Sequence, residues 1–209
     1  MLDFKKDFKE LYQPKQAPSI IDVPEMSFII VDGRGDPNTS EEYAKAVELL
    51  YGISYAIKMS NKEILEYVIP PLEGFWSVDD ATYKGGGAAI LDKSRFKWTM
   101  MIRQPDFVTQ DIFRSAVAAL SKKKPNLDVS KARLEKITEG LCVQVLHIGP
   151  YDDEPATVSA LDRFASDNGY AVDINECRRH HEIYISDPRK VAPEKLKTII
   201  RHPVKNVER

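Results

Sequence analysis

The sequence predicts an α+β fold built from two β-α-β-β units with a ligand groove at their junction. Three observations lead there. A strand-like run, a turn holding Gly, acid and Pro, an amphipathic helix and further strands occur in that order twice. The first turn is Asp32-Gly33-Arg34-Gly35-Asp36-Pro37, and the second is Gly149-Pro150-Tyr151-Asp152-Asp153-Glu154-Pro155. One such unit cannot bury both its sheet and its helix, whereas two packed together can, and their seam leaves a groove.

The 209 residues suit one domain of two halves. An apolar content of 43% with 30% charged residues fits a globular protein with a real core. With 30 basic and 32 acidic residues the net charge is −2, which leaves no electrostatic footprint for nucleic acid or anionic lipid. No run reaches the ~18 apolar residues of a membrane span, and Met1 to Asp7 lacks the apolar core of a signal peptide. Cys142 and Cys177 are too isolated for a disulfide framework. The expectation is a soluble, cytoplasmic protein.

Residues 1–18 read as an amphipathic arm packed on the body, broken by Pro14 and Pro18. The first unit spans 19–104. Ser19 to Asp32 is strand-like, with Met26, Phe28, Ile29, Ile30 and Val31 suited to a sheet. Arg34-Gly35-Asp36 matches a cell-adhesion tripeptide by coincidence, and its glycines lack the third that a dinucleotide fingerprint needs. Thr39 with Glu42 reads as a capping box. Tyr43, Val47, Leu50, Ser54 and Ile57 then form the helix face toward the sheet. Tyr51 and Tyr55 share a neighbouring face, where flank packing and ligand contact both remain open. Ile64 to Val68 reads as a strand stopped by Pro70-Pro71.

Gly85-Gly86-Gly87 lacks the Lys-Ser/Thr of a phosphate loop and reads as a connection. From Arg95 to Arg103 the pattern alternates, with Phe96, Trp98, Met100 and Ile102 on one side. Trp98 suits a core, or alternatively a pocket edge. Residues 105–137 connect the units through a helix from Phe107 to Leu120, with Lys122 to Lys124 complementing its C-terminal dipole. The second unit spans 138–187. Residues 188–209 read as a closing helix, with Pro193 at its start and Pro203 after its end.

Two acids stand out. Glu154 precedes Pro155 at a helix start, where the dipole favours its charged form. Glu182 lies inside the last strand of the second unit and shares a face with Tyr184 and Ser186, while His181, Ile183 and Ile185 take the other. A strand glutamate is costly to bury unpaired, so it reaches solvent or serves a site. If the two carboxylates meet in an aromatic groove, they can bind cationic aromatic compounds or hold and deprotonate a water. The residues alone do not choose. Cys142, His147, Cys177, His180 and His181 match no zinc spacing, so no metal is expected. No Gly-x-Ser-x-Gly elbow is present.

His147-Ile148-Gly149-Pro150-Tyr151, the acid-led helix and Glu182-Ile183-Tyr184 together resemble the GyrI-like small-molecule-binding superfamily in its stand-alone form. The resemblance extends over Asp3 to Lys6, Val31 to Asn38, Pro70 to Gly74 and His181 to Pro188, nearly the whole chain. It implies two SHS2-type modules in a pseudo-twofold arrangement with ligand bound between them. Some members are effector domains of multidrug-responsive regulators, but no helix-turn-helix is legible here. A stand-alone subset hydrolyses the cyclopropane of cyclopropapyrroloindole-type DNA alkylators using paired glutamates and aromatic walls. The resemblance therefore implies Glu154 and Glu182 as the catalytic pair. Tyr55, Trp98 and Tyr184, with Trp76 and Tyr151 behind them, are the expected ligand-contacting aromatics. No cofactor is implied, and the partner is a small hydrophobic or aromatic ligand. Sequestration of amphipathic or cationic compounds without turnover is the alternative.

Overall fold

The computed structural model describes residues 1–78 and 92–207, so the Gly85 to Gly87 connection lies outside the described residues. Short helices α1 (Phe4–Asp7) and α2 (Lys9–Tyr12) form the arm. Strands β1 (Ser19–Val23) and β2 (Met26–Arg34) lead to α3 (Glu41–Ser60), then β3 (Leu72–Val78) and β4 (Phe96–Gln104). Helix α4 (Gln110–Lys123) and β5 (Arg133–Ile137) follow. The second half contributes β6 (Gly140–Ile148), α5 (Glu154–Asp167), β7 (Tyr170–Val172), β8 (His180–Tyr184) and β9 (Lys197–Asn206).

The strands form one sheet in the order β1-β6-β9-β8-β3-β4-β2-β5, and β7 also pairs with β9. Every pairing between them is antiparallel. Read outward from the β3–β8 pair, the order is β4 then β2 on one side and β9 then β6 on the other. Each half thus places its strands alike about that seam.

Helices α3 and α4 cover one face of the first half, packing Leu49, Leu50, Ile53 and Leu120 on Ile29, Trp98, Met100 and Ile102. Helix α5 covers the same face of the second half, with Val158, Leu161 and Ala165 on Val143, Val145 and Ile200. The opposite face is closed by the arm, where Phe4, Leu11 and Tyr12 meet Phe28, Met101, Ile183 and Ile199. That arm explains why the polar side of β4 is also buried. Arg103 lies there with its guanidinium over the Phe4 and Phe8 rings, at 4.8 and 4.2 Å.

Three local expectations are corrected. The cap of α3 is Ser40, whose Oγ accepts from the Tyr43 N–H at 3.2 Å; Thr39 is taken up in the preceding turn, its N–H donating to the Asp36 carbonyl. Residues 64–68 form no strand and contribute only a bridge between Tyr67 and Leu2 of the arm. The closing helix is absent. A single 3-10 turn, Pro193–Lys195, precedes β9, a strand seated between β6 and β8. The β-branched run Thr198-Ile199-Ile200 fits a site buried on both faces better than a helix end.

Candidate active site

The β8 alternation places His180, Glu182 and Tyr184 on the helix-covered face, beside the seam with β3. Glu182 pairs in register with Gly74, and His180 with Trp76. A Cβ on Gly74 would lie 2.9 Å from Met100 Sδ and 3.0 Å from Trp76 Nε1, so glycine lets those two side chains close onto the strand beside Glu182.

Glu154 arrives from the other side. Gly149, with φ +140°, makes a turn that side chains rarely adopt. The His147 ring then pins the turn, with Nδ1 2.8 Å from Thr157 Oγ1 and Nε2 3.1 Å from the Pro150 carbonyl. The 3-10 turn Tyr151–Asp153 passes directly into α5, and its first residue, Glu154, is only 1% exposed. The Glu154 and Glu182 carboxyls face one another, with oxygens within 4.8 Å.

The two carboxyls differ in environment. Burial raises the Glu154 pKa well above the ordinary range, and the charge of Glu182 adds to the rise. The expectation that the helix dipole keeps Glu154 ionised is therefore overturned. A dipole terminus is worth about 0.3–1 kcal/mol, less than the desolvation of a carboxylate beside a like charge. Burial also acts to raise Glu182, but hydrogen bonding and attraction from His180, with the Tyr184 hydroxyl, hold its pKa below the ordinary value. His180 Nε2 lies 2.9 Å from Glu182 Oε1, and the Tyr184 hydroxyl donates to Oε2 at 2.8 Å. The surroundings thus push Glu154 toward its protonated form and Glu182 toward its ionised one.

Aromatic rings surround the pair. Trp76 Nε1 donates to the Tyr184 hydroxyl at 2.8 Å, and Tyr151 meets the Tyr184 ring edge-on at 5.9 Å. Tyr43, from the start of α3, stacks on Trp76 at 6.2 Å. Trp98 is 1% exposed, lies over Gly33 and meets Tyr43 edge-on at 5.3 Å, so it backs that ring from within the core. Tyr55 is 53% exposed, and its ring neighbour is Tyr51 at 6.5 Å.

Behind Glu182 runs a chain that the sequence reading missed. His180 Nδ1 is 2.7 Å from His202 Nε2, and His202 Nδ1 is 2.7 Å from Asp162 Oδ1. The period-two rule that joined Glu182 to Tyr184 applies equally to His180, so that part of the signal was present. His202 and Tyr43 carried none, since one lay in an expected helix and the other on an expected core face.

Donor atoms of Glu154, His180 and Glu182 lie within 4.8 Å of one another, a spacing a small cation could use. A cation there would have to break the His180–Glu182 hydrogen bond. Of the other metal candidates, Cys177 is exposed, while Cys142 and His181 pack on the arm side. A surface cavity of about 360 Å³ lies elsewhere, between α3 and residues 126–131, where Lys45 and Lys131 already pair with Glu41 and Glu42.

A family profile described as GyrI-like small molecule binding domain matches residues 16–205. Among curated proteins no relative matches. The fold is similar to an uncharacterized conserved protein from Listeria innocua, at 45% identity and a TM-score of 0.92, covering 98% of this chain and 100% of that one. It is also similar to a hydrolase from Listeria innocua, at 44% identity and a TM-score of 0.88, with 98% and 100% covered. The C-terminal domain of EcmrR shares the fold at 17% identity and a TM-score of 0.53, covering 91% of this chain and 98% of that domain.

Proposed function

Because this chain belongs to the GyrI-like small-molecule-binding family, we propose that it takes a flat, conjugated compound beside the Glu154–Glu182 pair and hydrolyses cyclopropanoid alkylators of the cyclopropapyrroloindole type. The observation that carries the reading is the buried Glu154–Glu182 carboxyl pair beneath aromatic rings, with pKa values pushed in opposite directions by their surroundings. The similarity to a protein described as a hydrolase adds support.

In this mechanism Tyr43, Trp76, Tyr151 and Tyr184 contact the ligand plane. Glu182 accepts a proton from a water that Glu154 helps to hold. The water oxygen bonds to the cyclopropane carbon as the strained C–C bond breaks. The released electron pair passes into the conjugated ketone, whose oxygen takes a proton from solvent and becomes a phenol. The alkylator is disarmed, so the role is protective and cytoplasmic.

A second reading is favoured by the single negative charge beneath the rings, which suits a bound cationic aromatic. The test is product analysis after mixing the protein with a cyclopropapyrroloindole compound. The ring-opened alcohol should form catalytically, and Glu182→Gln should abolish turnover while keeping affinity for the neutral compound. Binding with the cyclopropane intact would replace hydrolysis by sequestration, and Glu182→Gln should then weaken a cationic ligand.

A further inference from the structure

Glu182 is 7% exposed, and the two imidazoles behind it are 0% exposed, yet the chain they begin reaches an acid whose side chain is 30% exposed. Three hydrogen bonds in series link Glu182 Oε1 to His180, His180 to His202, and His202 to Asp162 Oδ1, at 2.9, 2.7 and 2.7 Å. Helix α5 supplies both flanks, Glu154 at its first turn and Asp162 two turns on, while β8 and β9 supply the imidazoles.

We propose that Asp162, His202 and His180 form a proton relay that joins the buried carboxyl pair to solvent at Asp162.

The argument is a proton count. Three hydrogen bonds need three protons between the heavy atoms. Two neutral imidazoles bring two. The third has no fixed home: it can sit on Glu182, on either imidazole or on Asp162, and every placement leaves all three bonds made. These placements have the same total charge, so moving the proton among them needs no new ion in the interior. When Glu182 accepts a proton from water the chain holds four, and loss of one from Asp162 to solvent restores three. A purely structural pair of histidines needs no carboxylate at each end of its hydrogen-bond chain. The other ionisable groups facing the chain are Glu154 on α5, Tyr184 on β8, Tyr151 in the turn before α5 and Tyr43 on α3.

The role in turnover rests on the hydrolase reading, but the relay itself can be tested without substrate. Nitrogen-detected NMR on 15N-histidine protein reports which ring nitrogen carries hydrogen. In Glu182→Gln the amide N–H donates to His180 Nε2, so both imidazoles should become Nδ1–H tautomers with Asp162 as final acceptor. In Asp162→Asn the amide N–H donates to His202 Nδ1, so both should become Nε2–H tautomers with Glu182 as final acceptor. His180 does not touch Asp162, and its inversion is the signature. Equal tautomers in the two variants, or inversion of His202 alone, would overturn the relay.

The kinetic arm uses His202→Ala, for which kcat should fall on the order of tenfold at unchanged KM, less than the loss of a direct general base. Free imidazole should restore kcat, whereas 1-methylimidazole, which fills the same hole but cannot pass a proton through, should not. Equal rescue by both, or no loss of kcat, would remove the relay from catalysis. Opposite tautomers in a protein that turns over no cyclopropanoid would leave the relay standing and defeat the hydrolase reading instead.

Discussion

Replacing Glu154 with Gln should make the protein more stable at neutral and alkaline pH. The carboxyl is 1% exposed and lies against the ionised Glu182, so its pKa is raised by burial first and by that charge second. A carboxyl whose folded pKa exceeds its unfolded one holds its proton more tightly in the folded state. Its contribution to stability is complete at low pH and is lost as pH rises from the ordinary glutamate range to the raised folded value. Each unit of the rise costs about 1.4 kcal/mol once the proton is gone. Gln keeps the shape, donates permanently to Glu182 and has nothing to lose. At pH 8 the variant should therefore be the more stable protein, and each 1 kcal/mol gained in a domain of this size raises Tm by about 2–4 °C.

The assay is urea unfolding of both proteins from pH 4 to pH 9, plotted as a difference. The subtraction matters because His181 also has a raised pKa, and it too loses stability as pH rises. The difference should be small at pH 4 and grow with pH at up to about 1.4 kcal/mol per unit. A flat difference, or a variant less stable at pH 8, would refute the assignment of Glu154 as the protonated partner.

Two further outcomes follow from other parts of the structure. Gly74→Ala should place a methyl against Met100 and Trp76, at about 1–3 kcal/mol of overpacking, and raise the ligand Kd measured by calorimetry. On the arm side, Glu139 is held at a pKa of about 2; burial opposes this, but His181 and Arg201 outweigh it, and Arg201 also donates to the Leu11 carbonyl. Glu139→Gln removes the carboxylate shared by Arg201 and His181, leaving Glu73 as the acid facing His181, and should cost about 3–5 kcal/mol, with faster proteolytic nicking of residues 1–18 as the second readout.

Legibility of the site followed the range of the interactions involved. Glu182 and Tyr184 could be placed together because a strand alternates its side chains within a few residues. His180 fell under the same rule and was overlooked. Glu154 could be placed at a helix start from Pro155, but not its protonation. The dipole that argued for a charge is local, whereas the burial and the facing carboxylate that overrule it come from β8. Tyr55 and Tyr43 sit on the same helix, and only the packing of α3 on Trp76 decides which of them meets the seam.

The C-terminal segment shows the same limit most clearly. Pro193 and the mixed run after it carry local helix signals, yet residues 197–206 gain more as a strand, because β6 and β8 stand on either side with unpaired edges. That choice also delivers His202 to His180. The sequence by itself therefore determined most of the alternating elements, their turns and the places of Glu154 and Glu182 along them. Only the tertiary structure decided which edges pair, which acid keeps its proton and how Glu182 connects to Asp162, because those depend on neighbours brought together from distant parts of the chain.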